Sequence, residues 1–249
     1  MLQIQPVYNK RFDYEALSES KGLLFEAIEL SFDNVSDDKA QWYKACKKVK
    51  SYHGVFMDVN PASGDSLIAE LSKKRYEESC KKALECSAEN VIFHSTCFPF
   101  LRGKYLEVWA EKSAEFYTYL AKKYSSLNFY IENSFDINPE PIDSLMKLIK
   151  VPNVRVCLDL GHINYSGASL EEWFDVLGDK TGYLHLSDNM GVYDDHIAVG
   201  SGTTDWFTAD RLCAFLPKNT PVTIEVNTID DIVSSLNFIK EHNLFGGIL

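Results

Sequence analysis

Histidines and carboxylates recur along this sequence at or near the ends of short apolar segments, and these residue types could bind a metal. Imidazole nitrogen and carboxylate oxygen are ligands of borderline divalent cations such as Zn²⁺ and Mn²⁺. A single histidine at a strand end is more often a hydrogen-bonded structural residue than a ligand. Here the pattern repeats over most of the chain, which indicates a metalloenzyme. The residues concerned are His53, His94, Glu132, Asp159, His162, His185, Asp194, His196 and Glu225.

The segments that must position these residues alternate between strand-like apolar runs and amphipathic helical runs. We predict strands at residues 2–8, 27–32, 52–59, 91–95, 129–133, 155–160, 183–187 and 222–227. Eight strands that alternate with helices predict a parallel sheet with right-handed crossovers. A length of 249 residues is typical of one (β/α)₈ barrel. We therefore expect an α/β fold, a single TIM barrel domain over residues 1–249, with an open doubly wound sheet as the alternative.

Helical periodicity predicts which faces of two helices are buried. In the segment after the third strand, the predicted apolar face consists of Leu67, Ile68, Leu71, Cys80, Ala83 and Leu84. In the next helical segment it consists of Val108, Phe116, Tyr117 and Leu120. Helix starts are predicted by the run that ends at Asp65, by Pro141 to Asp143, and by Thr228 with Asp231 three residues later.

A closed barrel would bring the candidate ligands together, because the C-terminal ends of all its strands face one rim. Six of them come from strands three to eight in order, at or near the strand ends, namely His53, His94, Glu132, Asp159, His185 and Glu225. The other three, His162, Asp194 and His196, are expected in the loops above strands six and seven. Structural histidines would have no reason to share a rim, so this arrangement favours a catalytic centre.

Composition limits the classes of partner. The net charge is −11, with 36 acidic and 25 basic residues, which argues against a nucleic-acid partner. No apolar run approaches the length of about 18 residues that would span a membrane, and the first residues lack a signal peptide. The six cysteines form no CxxC pair, and we interpret them as free thiols. These features predict a cytoplasmic enzyme and leave homo-oligomerisation open.

The order of the motifs resembles the xylose isomerase-like TIM barrels, a superfamily that joins sugar isomerases and epimerases with endonuclease IV. The resemblance extends from about the second strand onward. It rests on the segments SYHGVFMDVNPAS, VIFHS, YIENSFD, CLDLGHIN, LHLSDN, DDHIAVGSG and TIEVN.

This resemblance implies up to three metal sites. In the sugar-converting branch, one divalent ion is held by residues matching Glu132, Asp159, His185 and Glu225. In endonuclease IV, a second ion is held by residues matching His53, His94 and Glu132, and a third by those matching His162, Asp194 and His196. The implied cofactor is Mn²⁺, Zn²⁺, Mg²⁺ or Co²⁺, with more than one ion per chain compatible with the ligand set.

The resemblance also implies a reaction. A sugar, sugar phosphate or cyclitol would be isomerised or epimerised by proton transfer next to a carbonyl, through a metal-stabilised enediolate. Glu132 and Glu225 would be the acid/base pair, and His162 would steer a hydroxyl proton. Glu29 and Asp188 are candidate substrate-binding groups, although a structural carboxylate on the rim is an equal interpretation of Glu29.

Endonuclease IV-like cleavage at abasic sites is the alternative function, and a barrel that has lost activity is a third. The full ligand set supports the nuclease. Against it stand the Asn-Ser-Phe-Asp run after Glu132, a short loop from Asp188 to Asp194 without Lys or Arg, and a total of five arginines. The glycines in HIAVGSGTTDW allow an anion cradle or, as we prefer, a tight turn into a helix capped by Asp205.

Overall fold

The strands form a closed parallel barrel, as predicted. The computed structural model describes residues 3–8, 28–31 and 49–246, and for the first two segments the backbone alone. In the barrel each strand pairs with its sequence neighbours and β1 also pairs with β8. The strands are β1 (Gln3–Tyr8), β2 (Ile28–Ser31), β3 (Val49–His53), β4 (Asn90–His94), β5 (Asn128–Glu132), β6 (Val154–Asp159), β7 (Thr181–Leu186) and β8 (Pro221–Ile224).

Helices between the strands cover the barrel, and several begin where the sequence predicts. Within the described residues they are α1 (Ser66–Glu85), α2 (Lys104–Lys123), α3 (Glu140–Leu148), α4 (Leu160–Ser166), α5 (Leu170–Leu177), α6 (Trp206–Cys213) and α7 (Ile229–Glu241). Asp65 caps α1 by accepting from the N–H of Leu67 at 2.9 Å. Thr228 caps α7 by accepting from the N–H of Asp231 at 3.0 Å. None of the described helices combines the length and apolar composition needed to cross a bilayer.

The barrel interior is filled directly beneath the candidate ligands. Ile92, Tyr130, Cys157 and Tyr183 form a buried apolar cluster of their own. Each lies two residues before His94, Glu132, Asp159 and His185, respectively. Residues two apart on a strand share one face, so the same strands present an apolar layer and, above it, a polar layer. Because the apolar layer fills the barrel interior, the polar side chains above it meet at the rim.

The third strand begins and ends earlier than predicted, so the interval 52–59 was wrong. β3 spans Val49–His53, and the chain leaves the sheet at Gly54, where an added Cβ would lie 2.0 Å from a carbon of the Phe93 ring. Val55 is buried, but its N–H bonds the Ser79 hydroxyl of α1 at 3.1 Å rather than a strand. The apolar residues that follow Val55 resemble a strand in the sequence, but they line the rim of the barrel.

The buried face of α1 also differs from the prediction. Leu67, Ile68 and Leu71 are exposed, whereas Tyr76 is fully buried and stacks on Phe93 with ring centroids 4.2 Å apart. The other buried residues of α1 are Ser72, Ser79, Cys80 and Ala83. The hydroxyl groups of Ser79 and Ser72 on this face accept hydrogen bonds from N–H groups of the loop after β3. These polar contacts turn this face of α1 toward the barrel, although the apolar pattern predicts a different face.

Candidate active site

Four predicted ligands meet in a central cluster, formed by Glu132, Asp159, His185 and Glu225. Each offers one ligand atom, and these atoms all lie within 4.8 Å of one another. His185 Nδ1 lies 3.0 Å from Glu132 Oε1, 2.8 Å from Glu225 Oε2 and 3.9 Å from Asp159 Oδ2. Glu132, Asp159 and His185 are fully buried, and Glu225 retains some exposure. Three carboxyl groups therefore surround one imidazole nitrogen.

Two histidines extend this arrangement on one side and share Glu132 with it. His53 Nε2 lies 3.2 Å from Glu132 Oε2, and His94 Nε2 lies 3.5 Å from the same oxygen. The strand register pairs His94 directly with Glu132, so the adjacent strands β4 and β5 present these two side chains at one level. Glu132 thus offers Oε1 to the central cluster and Oε2 to this second cluster.

A third cluster consists of His162, Asp194 and His196, and its His162 Nδ1 lies 3.6 Å from Glu132 Oε1. Asp194 Oδ2 lies 3.3 Å from His162 Nε2 and 3.0 Å from His196 Nε2. His162 was expected in a loop, but it lies in the first turn of α4. There its N–H binds Asp159 Oδ1 at 2.9 Å, since Asp159 caps that helix. Asp194 and His196 lie in the loop after β7.

Three of the histidines have a fixed orientation because their Nδ1 atoms donate to backbone carbonyls. His53 donates to Gly54 O at 2.9 Å, His162 to Asn133 O at 2.6 Å and His196 to Glu225 O at 2.8 Å. A carbonyl oxygen has no proton to give, so each Nδ1 carries the hydrogen. The Nε2 atoms are then the ones directed at the carboxylates, which is the arrangement found in metal-binding histidines.

The protonation equilibria reflect burial opposed by the neighbouring charges. Burial lowers the pKa of His94 to about 4, and it raises the pKa of Asp159 to about 6. Burial would also raise the pKa of Glu132 and Glu225, but His185 outweighs it: the pKa of Glu132 falls well below its usual value and that of Glu225 falls to about 2. Burial lowers the pKa of His196, but Asp194 and Glu225 more than offset it, and the pKa rises to about 9.

The donor set of the central cluster fits a divalent cation. Asp159 Oδ2 is buried and has no hydrogen-bond partner in the described part of the chain. A buried oxygen without a partner is costly unless something absent from the protein chain satisfies it. Mixed nitrogen and oxygen ligation, together with the excess of negative charge, suits Mn²⁺, Zn²⁺ or a similar ion. Glu132, Asp159, His185 and Glu225 would hold it.

Asn133 belongs to the site although its sequence position did not single it out. Its side chain donates to Asp159 O at 3.0 Å and accepts from Asp159 N at 2.8 Å, while its own carbonyl orients His162. One buried residue therefore connects the ends of β5 and β6 and a histidine of the third cluster. The only signal in the sequence is its place immediately after Glu132.

Asp188, predicted to bind substrate, is instead enclosed by donors of the protein. Its carboxylate accepts hydrogen bonds from the indole of Trp206 at 2.8 Å and from the N–H groups of Gly200 and Gly202 at 3.0 and 2.9 Å. Two further N–H groups reach its other oxygen. The residue is fully buried. This geometry favours a structural role for Asp188. Its carboxylate binds the N–H groups of the glycine turn, which would otherwise be available to bind an anion from solution.

Two other predicted features have different outcomes. Glu29 lies on β2, whose side chains are outside the described residues, so its role as a substrate-binding group stays a prediction. Asp205 caps α6 by accepting from the N–H of Thr208 at 3.0 Å, as the preferred interpretation of the glycine turn required.

Comparison with known proteins identifies the family. The family model described as xylose isomerase-like TIM barrel matches residues 17–242. Uncharacterized protein MJ1311 of Methanocaldococcus jannaschii is 25% identical over 210 residues, which are 76% of this chain and 68% of that protein.

Solved structures share the fold at low identity. A D-tagatose 3-epimerase-like protein superposes with a TM-score of 0.77 and 21% identity, covering 97% of both chains. The TTHB071 protein of Thermus thermophilus, solved after soaking with ZnCl₂, has a TM-score of 0.76 and 22% identity, covering 96% of this chain and 97% of its own. With its eight-stranded barrel and the family match over most of its length, this chain belongs to the xylose isomerase-like TIM barrel family.

Proposed function

We propose that this protein is a divalent-metal-dependent enzyme that isomerises or epimerises a sugar by proton transfer next to a carbonyl. One observation carries the proposal: Glu132, at the end of β5, and Glu225, directly after β8, both contact His185 Nδ1, at 3.0 and 2.8 Å. Two carboxylates are thus available beside one ligand set. The fold shared with a D-tagatose 3-epimerase-like protein supports the same reaction class.

The two glutamates would divide the proton transfer between them. A divalent cation held by the central cluster would stabilise negative charge on the substrate oxygens. Glu225 is the more exposed of the pair, so its carboxylate would be accessible to take a proton from carbon. Glu132, fully buried, would return a proton or hold its partner in place. His162 would steer a hydroxyl proton at Nε2, the atom that faces Asp194.

The turn before α6 favours a substrate without a phosphate at this end. Peptide N–H groups in glycine turns are a frequent phosphate-binding device. Here Asp188 already accepts from Gly200 and Gly202 and from the indole of Trp206. A phosphate placed there would meet satisfied donors and a buried carboxylate. We therefore favour a substrate that carries no phosphate at this position.

Isotope exchange tests the reaction. The Mn²⁺-loaded protein is incubated in D₂O with ketoses, aldoses and inososes, and deuterium should appear at the carbon next to the carbonyl. Glu132→Gln and Glu225→Gln should each lower the exchange rate by about 10²–10⁴-fold. Glu171→Gln is the matched control, because Glu171 lies on the surface in an ion pair with Arg211. Metal content is measured on every variant, so that loss of the ion is separated from loss of the base.

Phosphodiester cleavage at abasic sites is the second candidate, and the presence of all three ligand clusters favours it. A hydrolase that uses three ions needs every cluster, whereas an epimerase needs the central one. His53→Ala and Asp194→Ala should therefore cost the epimerase far less activity than Asp159→Ala. Near-total loss from all three changes, with nicking of an abasic-site duplex and no exchange in any sugar, would replace the sugar reaction by the nuclease.

A further inference from the structure

We propose that a cleft beside the ligand clusters is a subsite for an apolar, ring-sized group carried by the substrate, an inference that rests on the sugar chemistry proposed above. This rim cleft encloses about 460 Å³ between the loops that follow β3, β4 and β5. Its apolar walls are Phe56, Met57, Val59, Ile68, Phe98 and Phe135.

The rim cleft is continuous with the candidate active site. His94, whose Nε2 faces Glu132, also lines the rim cleft. The Phe56 ring, which also lines the rim cleft, lies 5.1 Å from the His94 ring and 5.5 Å from the His53 ring, measured between centroids. A sugar held at the clusters would therefore direct any substituent on this side past Phe56 into the rim cleft.

The chemistry of the walls selects an uncharged occupant. Phe135 and Phe98 are 60% and 68% exposed, although aromatic side chains of this size normally bury most of their surface. Among the described residues that line the rim cleft there is no Lys or Arg, and Asp58 adds a negative charge. A phosphate or carboxylate would gain nothing there, whereas an aromatic ring would remove apolar surface of both partners from water.

The backbone of the rim cleft is held in a specific shape. Asp58 and Thr96, both in its lining, have φ angles of +57° and +56°. A β-branched residue such as Thr is rarely found in this region, and such conformations persist mainly where the surroundings enforce them, often at ligand sites. The N–H of Asn60 is fixed by the Ser72 hydroxyl at 2.8 Å. The walls are thus formed before any ligand arrives.

Calorimetry with paired probes tests the subsite. The Mn²⁺-loaded protein is titrated with the 1-O-benzyl and 6-O-benzyl ethers of D-fructose and with the corresponding methyl ethers, which keep the carbonyl and its neighbouring hydroxyl. At one of the two positions the benzyl ether should bind about tenfold or more tightly than its methyl counterpart. Phe135→Ser should remove most of this preference without changing the affinity for the methyl ether. Phe207→Ser is the matched control, because Phe207 is equally exposed (61%) on α6.

Each contrary result has a definite meaning. Equal binding of benzyl and methyl ethers at both positions overturns the subsite, as does a preference that survives Phe135→Ser combined with Met57→Ser. A dimer in light scattering that Phe135→Ser converts to monomers would show that a second copy covers these residues, and it also overturns the subsite. Deuterium exchange into free D-fructose is measured in parallel. Exchange without a benzyl preference refutes the subsite alone, whereas a Phe135-dependent preference without exchange in any sugar refutes the reaction alone.

Discussion

Replacing Asn133 by Ala should damage both the stability of the barrel and its metal affinity. The side chain satisfies the N–H and the C=O of Asp159, at 2.8 and 3.0 Å, inside a fully buried region. Each buried backbone group left without a partner costs about 1–3 kcal/mol. The variant should therefore lose about 2–6 kcal/mol in its free energy of unfolding, measured by urea denaturation without added metal.

The effect on metal affinity separates positioning from simple stability. Loss of a residue that orients metal ligands typically weakens binding about 10–100-fold. Asn153→Ala is the matched control, because Asn153, which directly precedes β6, donates two hydrogen bonds to backbone carbonyls, those of Ala121 and Leu127. It should lower stability and leave Mn²⁺ affinity, measured by calorimetry on folded protein, unchanged. Equal metal affinities of the Asn133 and Asn153 variants would refute the assigned role of Asn133.

Three further outcomes follow from the structure. Burial raises the pKa of Asp136 from 3.8 to about 6, so the folded state holds the proton more tightly and stability should fall as the pH rises between these values. From pH 3 to pH 7, the free energy of unfolding of the wild type should fall by about 3 kcal/mol relative to that of Asp136→Asn. A difference between the two proteins that does not change with pH would contradict this. Gly54→Ala places a Cβ against the Phe93 ring and should cost about 1–3 kcal/mol in urea denaturation. Asp188→Ala leaves the Trp206 indole and several N–H groups without an acceptor and should cost about 3–5 kcal/mol, whereas a neutral effect would show that water replaces the carboxylate.

The barrel and the place of its polar residues could be predicted because both depend on local patterns. Alternation of strands and helices determines a parallel sheet, and the end of each strand determines where its last residue points. His94 and Glu132, for example, end β4 and β5 and are paired in the register. Which polar residues lie at the rim could therefore be predicted from the sequence, whereas the substrate could not.

The errors arose where tertiary contacts override local patterns. The run after His53 is apolar like a buried strand, but the chain leaves the barrel at Gly54 and Val55 bonds the Ser79 hydroxyl of α1 instead of a strand. Leu67 and Leu71 follow helical periodicity, yet α1 turns them outward because Tyr76 stacks on Phe93.

Long-range hydrogen bonds have no signature in the sequence either. The bonds between Asn133 and Asp159 join residues 26 positions apart, and they exist only once the register of β5 and β6 is established. The enclosure of Asp188 by the turn before α6 likewise depends on how the chain closes after β7. The sequence shows that Asp188 is acidic and near the rim, but it does not show which donors surround the carboxylate.

The imidazoles of His53, His162 and His196 are held in place by hydrogen bonds to backbone carbonyls, so this part of the rim is a rigid set of ligands. Folding has already restricted their rings, so an arriving cation has few side-chain rotations left to freeze. The spacing of these imidazoles is then determined by the backbone that carries them rather than by adaptable side chains. Cations that differ in radius and preferred coordination number would be discriminated by size, as in a synthetic chelator whose cavity cannot contract around a smaller ion.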